Sequence, residues 1–400
     1  MIFLSTRLHS IQPSPTLALN ARAKTLKAQG IDIINLAAGE PDFDTPDWIK
    51  KGAIHAMDQG LTKYTAVDGL PSLKEAIRNK FIKDNNLEYS LNEITVANGG
   101  KQILFNAMMA SINKDDEVII PAPYWVSYPD IVQMFQGKVR IIPCDEASEF
   151  KLTPSNLEQA ITPRTKWIIL NSPSNPTGAV YSKLELSKLS KILLNHPQVY
   201  ILSDDIYEHL LYDNQSFSNI VQIEPLLKDR TLILNGVSKS YSMTGWRIGY
   251  GAGPKNLIEA MNLIQSQSTS NACSIAQGAA IIALNGPQEF LADWRQVFSE
   301  RRDKTLEALN KIPDLYCLKP KGAFYLYVNC SKILHKITPQ GEVIETDNQF
   351  CNYLLESAQV AAVSGDAFGL SPYFRISYAT SLELLQEACH RINQAIAALN

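Results

Sequence analysis

Lys239 stands eight residues before Arg247 in the stretch SKSYSMTGWRIG (238–249), directly after an apolar run, 231–234, that reads as a buried strand. An ammonium group at the end of such a strand loses hydration. Desolvation disfavours its charged form, so its pKa falls toward values at which the free amine acts as nucleophile or base. Arg247 lies between Gly245 and Gly249, which lets other groups approach its guanidinium closely. A surface lysine and a salt-bridged arginine would show the same spacing, so the weight of the pattern depends on what the other strand ends carry.

They carry polar residues of chemical use. The run 199–204 ends in Asp204, a carboxylate that is costly to bury unless it meets a cation, and Tyr207 follows three residues later. Asp205 reads as a helix N-cap. The run 94–98 leads into Gly99-Gly100-Lys101 and an apolar helix, whose N-terminal N–H groups suit a phosphate or carboxylate. The run 166–171 ends in NSPSNPTG (171–178), where prolines restrain Asn171 and Asn175. The run 117–121 ends beside Tyr124 and Trp125, aromatics able to stack on a flat ring. Gly39, in the Gly-Glu-Pro turn 39–41, can bring a backbone N–H to a ligand. Each has a plain structural alternative (a turn, a cap or core packing), but together they mark one edge of a sheet.

The elements that would position them are seven apolar segments, 94–98, 117–121, 139–143, 166–171, 199–204, 231–235 and 247–253. Most are unbroken Val/Ile/Leu runs, the pattern of strands buried on both faces. Helical periodicity at 72–81, 102–112 and 183–194 lies between them, so an α/β fold with a mostly parallel sheet is expected, with ligands beyond the carboxyl ends of the strands. Residues 1–45 read as an arm packing with a smaller domain, 46–310 as the large domain, and 311–400 as a small α+β domain with alternating runs at 322–328 and 373–378 and a helical tail at 382–399.

Composition narrows the partners. With 45% hydrophobic and 19% charged residues and a net charge of -3, the chain resembles an ordinary globular protein. No broad nucleic-acid or anionic-membrane surface is expected, and no run approaches a membrane span. The six cysteines show no C-x-x-C pair or neighbouring histidine cluster, so no metal site is expected; reduced thiols and a first stretch unlike a signal peptide place the chain in the cytoplasm.

Seven motifs carry a family resemblance: GEPDFDTP (39–46), GGKQ (99–102), PYWVSYP (123–129), NSPSNPTG (171–178), SDDIYEHLLY (203–212), SKSYSMTGWRIGY (238–250) and YFRISYAT (373–380). In this order and over essentially the whole chain, they resemble the class I and II pyridoxal-phosphate aminotransferases, within these the bacterial aspartate aminotransferases of subgroup I-beta. The resemblance implies a fold type I pyridoxal 5′-phosphate enzyme, a homodimer with shared sites, exchanging amino groups between L-aspartate and 2-oxoglutarate. Lys239 would carry the cofactor as an aldimine and move the substrate proton. Asp204 would hold the pyridinium nitrogen, Tyr207 and Asn175 the ring 3′-oxygen, and Trp125 would stack on the ring. Arg247, Ser238 and the Gly99-Gly100 backbone would hold the phosphate, with Tyr64 reaching it from the partner subunit. Arg375 and the Gly39 N–H would bind the substrate α-carboxylate, and Lys101 the distal carboxylate.

Two departures from the family pattern stand out. Asp204-Asp205 replaces an Asp-Glu pair, a neutral change at a position that does not bind cofactor. Gln12 stands where relatives that also accept prephenate tend to carry a basic residue, which counts against prephenate. A broader donor range (aromatic, alanine or prephenate) and a pyridoxal-phosphate lyase are the alternative activities. A dinucleotide oxidoreductase is disfavoured because Gly251-Ala252-Gly253 lacks the third glycine and is followed by Pro254. A non-catalytic binding protein is disfavoured because Lys239, Asp204 and Arg247 are all present.

Overall fold

The computed structural model describes residues 3–5, 7, 8, 11 and 13–400. Gln12 lies outside the described residues. The arm contains the helix Pro15–Ala28 and a short strand, β1 (Ile34–Asn35). Seven strands follow: β2 (Ile94–Ala97), β3 (Glu117–Ala122), β4 (Lys138–Pro143), β5 (Thr165–Asn171), β6 (Tyr200–Asp204), β7 (Thr231–Gly236) and β8 (Gly249–Ala252). They form one sheet in the order β2-β8-β7-β6-β5-β3-β4, so each of the seven apolar segments supplies a strand. The chain is α/β with a mostly parallel sheet; β8 alone runs antiparallel, to both β2 and β7.

Alternation along the strands explains the layers. Ile119, Ile168, Ile201 and Ile233 point to one core, with Leu73, Ile77 and Phe81 of helix Pro71–Asn85 and Leu186, Leu189 and Leu193 of helix Lys183–Leu194. Their neighbours Val118, Trp167, Leu202 and Leu232 point to the other, with Ile103 and Leu104 of helix Gly100–Ser111 and Met261 of helix Lys255–Ser268. A strand covered by helices on both sides has no polar face, so the sequence reads as a continuous apolar run. β4, at the sheet edge, is largely exposed.

The expected strand 247–253 begins later than its apolar content suggests. Arg247 has φ 57°, in the left-handed region, after a 3₁₀ turn at Thr244–Trp246, and pairing starts only at Gly249. The long polar side chain has no place in a buried ladder and instead turns back over Asn98.

A second sheet, in the order β12-β13-β10-β9, is antiparallel and joins β9 (Tyr316–Cys317), β10 (Tyr325–Asn329), β12 (Val363–Ser364) and β13 (Tyr373–Ser377). The arm strand β1 pairs in parallel with β11 (Val360–Ala361). A separate core, including Phe298, Phe324, Phe350, Phe374 and Ile392, lies among these strands and helices Phe290–Asn310, Asp347–Ser357 and Leu382–Ala397. Phe298 stacks on Phe324 at 5.7 Å and meets the edge of Phe43 at 5.2 Å. Phe298→Ala removes these contacts from a fully buried position and is expected to cost about 3–5 kcal/mol. Chemical denaturation should show an earlier midpoint with an unchanged native circular-dichroism spectrum.

Candidate active site

The carboxyl ends of β5, β6 and β7 open into a cavity of about 480 Å³. Its lining includes Gly39, Gly100, Lys101, Trp125, Asn175, Asp204, Tyr207, Ser238, Lys239, Arg247 and Arg375, which is every expected site residue except Gly99 and Tyr64. Gly99 is the residue next to this lining and caps helix Gly100–Ser111. Tyr64 is 91% exposed and outside the cavity.

Asp204 ends β6, where the ladder to β7 also ends. Its carboxylate accepts hydrogen bonds from Tyr128 Oη at 2.6 Å and from Ile206 N at 3.3 Å. Burial outweighs these donors and pushes its pKa up to about 6. Asn171 Nδ2 donates to the Asp204 carbonyl at 2.9 Å, and Asn171 Oδ1 accepts from Asn175 N at 2.8 Å, so the two expected asparagines form one brace. Tyr207 is buried and shares a 2.9 Å hydrogen bond with Tyr325 Oη.

Asp205 is not the N-cap expected of it. It is buried, and its carboxyl oxygens meet Ser203 Oγ at 2.7 Å and Asn219 Nδ2 at 3.0 Å. The chain forms a turn after Asp204 rather than a helix, so there is no helix N-terminus for Asp205 to cap.

Lys239 faces the cavity and donates to the Gly39 carbonyl. Burial, reinforced by the positive charges of Arg375 and Arg247 against the opposing charge of Glu40, pushes its pKa down to about 8. Glu40 itself accepts from Thr244 Oγ1 at 2.9 Å, tying the arm loop to the turn that carries Arg247.

The glycines at the head of helix Gly100–Ser111 form a cradle. Gly99 has φ 85°, and a Cβ there would collide with the Arg247 guanidinium; one at Gly249 would collide with the backbone of Gly99 and Gly100. Arg247 donates to the Thr244 carbonyl at 3.0 Å and to the Asn98 carbonyl at 3.2 Å, which holds it across the helix N-terminus. Arg375, on β13, is buried beside the Tyr325 and Phe368 rings. It donates to Asn175 Oδ1 at 2.9 Å and to the Ala37 carbonyl at 2.7 Å, while its Nε has no hydrogen-bond partner. Lys101 Nζ lies 5.0 Å from the Trp125 ring centroid, and burial together with the charge of Arg247 holds its pKa below the usual lysine range.

The sequence reading missed Tyr128, Tyr325 and the arm side chains Leu17, Asn20 and Lys24 that line the cavity. Tyr128 sits three residues after Trp125, and its ring meets the Trp125 ring edge-on at 5.4 Å. That spacing was the available signal for Tyr128.

The fold and the cavity are those of an enzyme family. The model of aminotransferase class I and II matches residues 31–392, and the chain belongs to that family. It is an aminotransferase, with the fold type I architecture of the pyridoxal-phosphate enzymes. It is 56% identical to the aspartate/prephenate aminotransferase of Cereibacter sphaeroides over 100% of both chains. The crystal structure of the aspartate aminotransferase from Rhizobium meliloti matches with a TM-score of 0.97 and 55% identity over 100% of both chains. The Thermus thermophilus aspartate aminotransferase with maleate matches with a TM-score of 0.92 and 41% identity, over 99% of this chain and 100% of that one.

An amine with a pKa near 8 is unprotonated at a pH where surface lysines are not. Competitive labelling with acetic anhydride, read by peptide mass spectrometry on the ligand-free chain, should give Lys239 a rate midpoint near 8. A midpoint near that of surface lysines would contradict the buried setting.

Proposed function

We propose that this aminotransferase binds pyridoxal 5′-phosphate and catalyses the reversible ping-pong transfer of the amino group from L-aspartate to 2-oxoglutarate, giving oxaloacetate and L-glutamate. The observation that carries the reading is Arg375, buried, hydrogen-bonded only to neutral oxygens among the described residues and left with an unpaired Nε. A bidentate carboxylate matches the remaining N–H donors of this guanidinium in charge and shape. The cavity also fits the cofactor. The glycine cradle at the helix N-terminus with Arg247 and Ser238 suits a phosphate, and Asp204, raised by burial, suits a ring nitrogen that brings positive charge.

When bound, the cofactor supplies an electron sink for the substrate Cα. Lys239 would anchor the cofactor and, once displaced by the substrate amine, would be the free base that takes and holds the Cα proton. Asp204, oriented by Tyr128, would hold the ring nitrogen in its protonated form, Tyr207 and Asn175 would hold the 3′-oxygen, and Trp125 would pack on the ring face. Arg375 and the Gly39 N–H fix the α-carboxylate, so that the Cα proton is presented to one amine. Lys101 meets the distal carboxylate of aspartate or glutamate, a reading supported by the dicarboxylate named with the Thermus relative.

A wider donor range, prephenate included, is a second reading. Its support is the name of the Cereibacter relative and the arm-helix side chains Leu17, Asn20 and Lys24 on the cavity wall, where a larger substrate would extend. We further propose a homodimer in which Tyr64 of each copy reaches the other's phosphate, supported by its full exposure, and a cytoplasmic setting, supported by six unpaired cysteines.

A single-turnover panel of aspartate, alanine, phenylalanine and arogenate, the amino product of prephenate, tests the substrate, with the oxo acid formed as the readout. Aspartate should react fastest; preference for alanine or phenylalanine would refute the acidic-substrate reading. Lys101→Ala should raise KM for aspartate by on the order of tenfold and leave alanine nearly unchanged, whereas equal losses would remove its role. Lys239→Ala should leave no measurable turnover. Sedimentation of the active enzyme should show a dimer, and an active monomer would rule out sharing of Tyr64.

A further inference from the structure

One residue beyond Tyr207, and outside the cavity lining, three elements converge on a buried carboxylate. Tyr207 reaches Tyr325, whereas Glu208 accepts hydrogen bonds from Asn235 Nδ2 at 2.7 Å, on β7, and from Asn85 Nδ2 at 3.0 Å, at the end of helix Pro71–Asn85. Lys80 of the same helix forms an ion pair with Glu208, and both side chains are only 3% exposed. Lys80 also donates to Asn85 Oδ1 at 2.7 Å, and Gln222 Nε2 holds the Asn85 carbonyl at 2.7 Å. His209 lies 3.5 Å from Glu208 and 3.6 Å from Asp84. Burial pushes the Glu208 carboxyl up, but Lys80, His209 and Asn85 outweigh it and hold it down to about 2.

The position of this cluster is informative. The ladder between β6 and β7 closes with Asp205 N donating to the Leu234 carbonyl at 2.9 Å. Past that point β7 pairs only with β8, through Asn235 and Gly236. The Asn235–Glu208 bond therefore ties the two chain segments together after the sheet has stopped doing so. On one segment it lies next to Tyr207 and four residues after Asp204; on the other it lies four residues before Lys239. A buried ion pair is a poor stabiliser compared with an apolar pair of similar volume, so stability alone does not account for it. A charged carboxylate satisfied by three donors from two other elements has few alternative positions, and it transmits that restriction to the residue beside it.

We propose that Glu208, held by Lys80, Asn85 and Asn235, is a positioning residue that sets the Tyr207 turn against the Lys239 segment for catalysis; the proposal rests on the cofactor and reaction read above. Three variants of the holoenzyme test it: Glu208→Gln, Asn235→Ala, and the paired Lys80→Met/Glu208→Leu, which leaves no unpaired charge. The readouts are the thermal midpoint, the pH titration of the bound cofactor's absorbance, and kcat and KM with aspartate. Each folded variant should show an absorbance midpoint displaced by about half a pH unit or more. Its kcat should fall on the order of tenfold or more, with KM within about threefold of the parent. The paired variant leaves the Asn85 and Asn235 amides without their acceptor, so its thermal midpoint should fall, and the same kinetic loss should be seen at temperatures well below that midpoint. A paired variant or Asn235→Ala that folds with the parent's absorbance midpoint and kcat would overturn the proposal, as would failure of all three to fold, which makes Glu208 a stability residue. A parent enzyme without a titrating cofactor absorbance or aspartate turnover would defeat the reaction reading instead, before any variant is made.

Discussion

Lys239 and Asp204 are withdrawn from water beyond the ends of neighbouring strands without forming an ion pair with each other or with any other described residue. Burial pushes each toward its neutral form, the amine to about 8 and the acid to about 6. Had the two met in a tight pair, both would be firmly charged and neither would be available. The structure keeps them apart by occupying each with weaker partners. Asp204 is given the Tyr128 hydroxyl and one backbone N–H, while Lys239 is given a backbone carbonyl of the arm loop and lies near two guanidinium groups. Hydrogen bonds to neutral groups are exchanged at small net free energy, so a ligand bringing the right charges can replace them.

That arrangement requires two cores. β6 and β7 belong to the large sheet, but Tyr207, only three residues past Asp204, packs in the second core with Phe324 and Tyr325. Arg375 arrives from the small sheet, where its strand is paired on one side with Tyr327 and on the other with Val363. Its Nη2 bond to the Ala37 carbonyl brings in the arm, whose strand is held by β11. The cavity is thus lined from three separately anchored units, and the cations that depress Lys239 come from two of them.

The parts of this layout that were legible in the sequence are those governed by periodicity. A strand buried on both faces must be apolar throughout, so the covered strands of the large sheet stand out, as does the exposed edge strand β4 through its Val139, Ile141 and Ile142, and a polar residue at the end of such a run is conspicuous. Strand direction leaves no such mark, which is why the antiparallel β8 was not distinguished. The apolar stretch around Ile248 masked the left-handed turn at Arg247, a position set by contact with Gly99, far away in sequence. Beyond the spacing of Tyr128 from Trp125, nothing in the sequence singles out Tyr128 or Tyr325, because a buried tyrosine looks the same whether its hydroxyl is structural or faces a site. Asp205 reads as a cap because local spacing cannot show that Asn219 reaches it. Tyr64, by contrast, is legible only as a family position, since its side chain is almost fully exposed on the single chain.

On the proposed reading, the two carboxylates of the substrate meet very different hosts. Arg375 is fixed by two hydrogen bonds and two ring faces, and its remaining N–H donors are left to recruit a carboxylate. Its geometry is set before a ligand arrives, so little ordering remains to be done on binding. Lys101 is a single ammonium on a flexible stem, steadied mainly by the face of Trp125. An ammonium imposes no planar geometry and can follow an anion over several positions. The same site is therefore strict about the α-carboxylate, which every amino acid carries, and permissive about what lies at the other end. This asymmetry orients the Cα proton toward Lys239 for any donor that fits, and it leaves Lys101 to favour a distal carboxylate while the wall built by the arm helix limits the donor's size.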